Sequence, residues 1–261
     1  MYNILLTLKH EVSSLRKNVY SHSIHPRNKL QGILELSYNY FCVEIEEFVK
    51  ENQIKISKSA QKLHKQAMQI MNESVDAMHS QFHASRILRD LDRFINSQQG
   101  VKIKGDLDYD ILVLAISWHD TWKARHKPGN YFSLFWHQLF EGVGSKRMFE
   151  SAALEIGLPP QTAKKVSYAI RKHSRFQFRS TNTLEAKILQ DLDHLDEWSA
   201  DRIKEAQKNY FIMRSQLHLW ILKKYMQFQS RRDFHFKWAT KEYKARKSLY
   251  FKQVEEFLEE I

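Results

Sequence analysis

A chain of 261 residues with 43% hydrophobic and 13% aromatic residues can bury a sizeable core, which excludes a disordered or fibrous protein. Its formal net charge of +11 favours polyanionic partners such as nucleotides, nucleic acid or anionic surfaces, and the single cysteine, Cys42, excludes an intramolecular disulfide and a thiolate metal cluster. No uninterrupted apolar run approaches the ~20 residues that span a bilayer, and the first apolar residues meet charge too early for a signal peptide, so the expectation is a cytoplasmic protein without membrane insertion.

With only 7 Gly and 4 Pro, and with Lys, Glu, Leu, Ile, Ala and Gln dense throughout, the chain predicts an all-α fold. Residues 1–58 read as an N-terminal helical extension, broken at His25-Pro26. A long helix is expected from Ser59 to Asn96, broken or bent near Met71 to Val75 and ended by Ser97-Gln-Gln-Gly100. His79 and His83 stand four apart on it and so share a face. Asp108 caps a helix that is apolar from Ile111 to Trp118 and runs into His119-Asp120. A charged connection from Lys123 to Asn130 and an aromatic stretch from Tyr131 to Trp136 follow. Further helices are expected from Ser145 to Ile156, stopped by Gly157-Leu-Pro-Pro160, from Gln161 to His173, and from Leu184 through Asp193. Residues 201–261 read as two C-terminal helices, split near Gln229 to Asp233, that pack on a core of residues 59–200. There is no internal repeat and no β-type alternation.

Charge placement marks a candidate site. His119-Asp120 ends an otherwise apolar helix and Asp193 interrupts another, so ionisable groups point into a core-lined cleft. Buried carboxylates are costly unless paired or bound to metal. Imidazole with carboxylate suits a divalent ion such as Mn²⁺, Fe²⁺, Zn²⁺, Ni²⁺ or Mg²⁺, and His83 would supply the opposite ligand. Taken singly, each of these histidines is more often a satisfied core residue. Lys164, Lys165, Arg171, Lys172 and Arg175 bracket His173 with positive charge.

Local contexts add to this. Phe82-His-Ala-Ser-Arg86-Ile-Leu is followed by Leu114-Ala-Ile-Ser-Trp-His119-Asp120-Thr-Trp-Lys123, then Ile170-Arg-Lys-His173-Ser174, then Asp191-Leu-Asp193-His-Leu-Asp196. In this order the segments resemble the HD-domain metal-dependent phosphohydrolase superfamily over residues 78–200. The resemblance implies an HD-domain helical bundle with terminal extensions and one divalent ion held by His83, His119, Asp120 and Asp193. It further implies metal-activated water that cleaves a phosphate ester or anhydride of a nucleotide or related phosphorylated metabolite. Arg86, Lys123 and His173 are then phosphate contacts or catalytic groups, against alternatives of an Arg86–Asp90 ion pair and a surface role for Lys123. Asp196 is expected to orient a helix or a ligand, Glu150 to be merely helical, and His79 to be a core or surface residue. His137 and His173 would serve as ligands only if two ions were held. The aromatic stretch from Tyr131 either fills the core or stacks a base. A different class stays in view: a nucleic-acid-binding or regulatory helical protein, with an HD-type nuclease combining the two, and self-association through the terminal helices is a further option.

Overall fold

The computed structural model describes residues 45–127, 131–173, 180–209, 226–227 and 233–259, which form α-helices and two 3-10 turns with no strand among them. A short helical segment, 45–51, packs Ile45 and Phe48 into the core. Helix α1 (Lys58–Asn72) starts where Ser57 accepts a hydrogen bond from the Ala60 amide. A 3-10 turn (Ala77–His79) precedes α2 (Gln81–Ile95). The second turn (Lys104–Asp106) leads to α3 (Tyr109–Trp118), whose cap is Asp108, accepting from the Ile111 amide. Then come α4 (Thr121–Arg125), α5 (Tyr131–Ile156), α6 (Pro160–His173), α7 (Leu184–Asp196), α8 (Ala200–Asn209) and α9 (Lys237–Glu259).

Helix α3 is the axis of the core. Ile111 to Ile116 are each at most 1% exposed, as expected of a helix apolar on every side. It packs against α1, α2, α5, α6 and α7, and the Trp118 indole donates to the Leu63 carbonyl of α1 at 3.0 Å. At the end of α7, Trp198 is met edge-on by Tyr243 and Tyr250 of α9. Residues 59–200 and the described residues beyond them belong to one compact unit. No helix among the described residues is long and apolar enough to cross a membrane.

Several expected boundaries hold for physical reasons on view. The stop after Ile156 is a glycine cap: Gly157 has φ 73°, its amide bonds the Leu154 carbonyl, and the Leu158 amide bonds the Ala153 carbonyl. Pro160 then opens α6 at the first helical position, where a missing N–H costs nothing. Of the break or bend expected near Met71 to Val75, the structure has the break. There the Val75 amide bonds the Ala124 carbonyl at 2.9 Å, and Ser74 Oγ donates to the same carbonyl at 3.2 Å, tying the break to the end of α4.

Two expectations need correction. His79 does not share a helix with His83, because Asp76 accepts from the Met78 amide and sets up a separate 3-10 turn before α2 begins. The aromatic stretch and the helix expected from Ser145 are one continuous α5. Within it Gly144 is a contact point: a Cβ there would collide with the Trp122 indole of α4. The helices expected within 1–44 and over 210–225 lie outside the described residues, as do Arg175 and the side chains of Tyr131, Phe132, Leu134 and Phe135.

Candidate metal centre

Four elements deliver one ionisable residue or more to a single point. His83 lies on the first turn of α2, His119 ends α3, Asp120 starts α4, and Asp193 sits near the end of α7. The expected quartet converges, with His83 and His119 fully buried. His83 Nε2 lies 3.0 Å from His119 Nε2, 3.4 Å from Asp120 Oδ2 and 3.3 Å from Asp193 Oδ1. His119 Nε2 lies 3.4 Å from Asp120 Oδ2 and 3.7 Å from Asp193 Oδ1.

The histidine tautomers follow from their other ring nitrogens. His83 Nδ1 faces Asp196 Oδ2 at 2.7 Å and His119 Nδ1 faces the Ile116 carbonyl at 2.7 Å. Both partners only accept, so both Nδ1 atoms carry the proton and both Nε2 lone pairs point into the same space. Two imidazole nitrogens and two carboxylates facing one another suit positive charge between them, and could hold a metal ion. A tetrahedron with such edges has a centre about 2.1 Å from each atom, the bond length of zinc and its neighbours to nitrogen and oxygen. The donor set therefore fits a divalent ion.

The electrostatics agree. Burial works against the charged form of His119, but Asp120 and Asp193 more than offset it and raise its pKa to about 10. His83 is raised as well: burial and Arg202 oppose this, and Asp120, Asp193 and Asp196 outweigh them. Burial pushes Asp120 up, yet Lys123, His119 and His79 hold it well below the usual carboxylate range. Asp193 is likewise held low against burial by His119 and His83.

Behind His83 stands an ion-pair network. Arg86 Nε donates to Asp196 Oδ1 at 2.5 Å and its terminal nitrogens reach Glu205 at 2.7 and 2.9 Å. Arg202 lies 3.0 Å from Asp196 Oδ2 and also donates to the Met78 carbonyl. Asp196 thus orients the His83 ring. Arg86 is committed to Asp196 and Glu205, and Asp90 is paired instead with Arg246 and Arg93. The Arg86 guanidinium thus directs its donors to Asp196 and Glu205.

Asp120 has a second face. Its Oδ1 lies 3.4 Å from Lys123 Nζ and 3.5 Å from His173 Nε2, and Lys123 also pairs with Glu141 of α5. Lys123 is buried, not a surface lysine, and burial, which would discharge it, is outweighed by Asp120 and Glu141, which raise its pKa above the ordinary value. His173 Nδ1 donates to the Ile170 carbonyl, so its Nε2 lone pair also points inward. His79 flanks the quartet: its Nδ1 meets Asp76 at 2.8 Å and its Nε2 lies 3.7 Å from Asp120 Oδ2. His137 lies apart, against Trp122 and His126, and Glu150 pairs with Lys146 on the helix surface. A cavity of about 60 Å³ opens beside Asp193 and His173, with Gln190, His194 and His235 in its wall.

Glu141, Asp76, Arg202 and Glu205 were not singled out by the sequence. Glu141 carried a signal, since it is the sole acidic residue between Asp120 and Glu150, in an aromatic stretch. The other three had none beyond their charge. No family model, curated protein or solved structure matches the chain.

Proposed function

We propose that this chain is an HD-type metal-dependent phosphohydrolase, with one divalent ion held by His83, His119, Asp120 and Asp193. The observation that carries the reading is the meeting of two Nε2 lone pairs and two carboxylates at one buried point, with Asp196 and the Ile116 carbonyl fixing both rings. A bound ion supplies a water of lowered pKa and polarises a phosphoryl oxygen. The protein's own groups do the rest. Asp193, with a side chain 15% exposed, faces the cavity through which substrate and water would reach the centre. His173, anchored through Nδ1 to the Ile170 carbonyl, turns Nε2 toward the centre, a position suited to proton transfer at the reacting phosphate. Lys123 keeps a buried positive charge near the charge that develops there.

The substrate class proposed is a nucleotide or related phosphorylated metabolite, supported by the net charge of +11. The test is metal analysis of the purified protein, followed by phosphate release from nucleotides, cyclic nucleotides and short RNA or DNA. Release is expected to need the ion and to vanish in Asp193→Ala and His119→Ala. Full activity in Asp193→Ala sinks the assignment. A nucleic-acid-binding module would instead show salt-sensitive affinity that ignores loss of His119.

A further inference from the structure

Asp120 divides its two oxygens between two groups. Oδ2 belongs to the quartet with His83, His119 and Asp193, while Oδ1 belongs to a second set with Glu141 and His173 whose ligand atoms also lie within 4.8 Å of one another. That second set is made of metal-binding side chains. It is also dry: Asp120 is 2% exposed, Glu141 2% and His173 5%. Asp120 Oδ1 and His173 Nε2 have no hydrogen bond, although both are buried and aimed into the set. Yet a cation is already among them. Lys123 Nζ contacts both Asp120 Oδ1 and Glu141, one turn after Asp120 on α4.

We propose that Lys123 is the resident second cation of a two-cation centre bridged by Asp120, so that the chain takes one divalent ion where its side chains could hold two. The inference rests on the metal reading of the quartet given above. Charge placement supports it. The Lys123 ammonium already faces two carboxylates of the set, Asp120 and Glu141, while Asp76 is turned to His79 and Asp193 to the quartet. Arg86 and Arg202 are paired with Asp196 and Glu205. A second divalent ion would have to sit against the Lys123 ammonium in a buried site, where like charges are costly. A tethered ammonium cannot dissociate, so the second position stays charged at any metal concentration. It also cannot ligate water, which limits water activation to the quartet side.

The test is Mn²⁺ stoichiometry, by mass spectrometry and by electron paramagnetic resonance, on the full chain. Wild type is expected to bind one Mn²⁺ with an isolated-ion spectrum. Lys123→Met keeps the volume, removes the charge, and is expected to bind two, with the spectrum of a coupled pair because Asp120 bridges them. Lys123→Met combined with His173→Ala should return to one. A folded Lys123→Met that binds a single ion overturns the proposal. Should that variant not fold, titration of the wild type decides: a second Mn²⁺ entering at high concentration shows that Lys123 is displaced and overturns it too, while saturation at one supports it. No Mn²⁺ in wild type would remove the metal reading itself. A chain that binds one ion but releases no phosphate would refute the proposed function and leave the role of Lys123 standing.

Discussion

His83 Nε2 and His119 Nε2 stand 3.0 Å apart, each on a ring whose other nitrogen donates its N–H to an acceptor 2.7 Å away. Neither can donate to the other in its neutral form, so the pair repels unless positive charge lies between or beside it. The fold invests four elements in holding that arrangement. A binding ion therefore stabilises the native state, by about 2.7 kcal/mol at a concentration a hundred times Kd. Thermal melting with a chelator and with added Mn²⁺ is expected to differ by about 5–10 °C for a domain of this size. Identical melting curves would count against a metal at this point.

Asp196 is the sole acceptor shown for His83 Nδ1, and Arg86 and Arg202 hold that carboxylate well below its usual range despite its burial. Replacing it with Asn keeps the shape but removes the charge both guanidiniums face. Metal affinity should fall about 10- to 100-fold, as is usual when the partner behind a ligating histidine is lost. Competition with a metal-chelating dye measures it.

Arg86→Met separates two roles. If the guanidinium served substrate phosphate, the loss would appear in KM with stability intact. Its bonds to Asp196 and Glu205 predict the reverse: destabilisation of about 3 kcal/mol from stranding buried carboxylates, partly restored by adding Glu205→Gln. Urea melts of the single and double variants distinguish the cases.

His64 of α1 gives a pH dependence away from the centre. It is 1% exposed, its Nδ1 meets Ser117 Oγ at 2.6 Å, and burial, aided by Lys65, lowers its pKa from 6.5 to about 4. The unfolded chain takes up this proton below pH 6.5 while the folded chain resists it until about pH 4. Its contribution is therefore fully present above pH 6.5 and lost as pH falls toward 4, by about 3 kcal/mol in all. His64→Leu should flatten the acid limb of the stability–pH curve over that window, and an unchanged limb would refute the assignment.

Gly144→Val places side-chain atoms where the Trp122 indole already lies. Overpacking of this kind costs about 1–3 kcal/mol. Because Glu141 is one turn away on α5, the variant is also expected to weaken the hold on Lys123. Near-ultraviolet circular dichroism of Trp122 and denaturant melts report both effects.

The centre was legible in the sequence where ionisable residues interrupted apolar helices. His119-Asp120 closes the buried α3 and Asp193 breaks the inner face of α7, and both stand out against neighbours that have no polar reason to be there. Their partners were not legible in the same way. Arg202 and Glu205 lie on a polar helix where a charge predicts only solvent, and their use depends on α8 reaching α2. Glu141 fell between the aromatic stretch and the helix expected from Ser145, where α5 in fact runs unbroken with Gly144 against Trp122. His79 was placed on the wrong element because helical spacing continues across a break that Asp76 creates with its own side chain. Spacing along the chain carries no information about which distant carboxylate a histidine will meet.

Arg202, bridged to Asp196, and Glu205, bridged to Arg86, tie α8 to a centre to which it contributes no ligand. Arg202 grips the Met78 carbonyl in the turn beside His79, and through Asp196 it fixes the ring of His83. Undocking α8 would slacken both histidines together, so the grip on any ion bound there would depend partly on the packing of a helix that contributes no ligand.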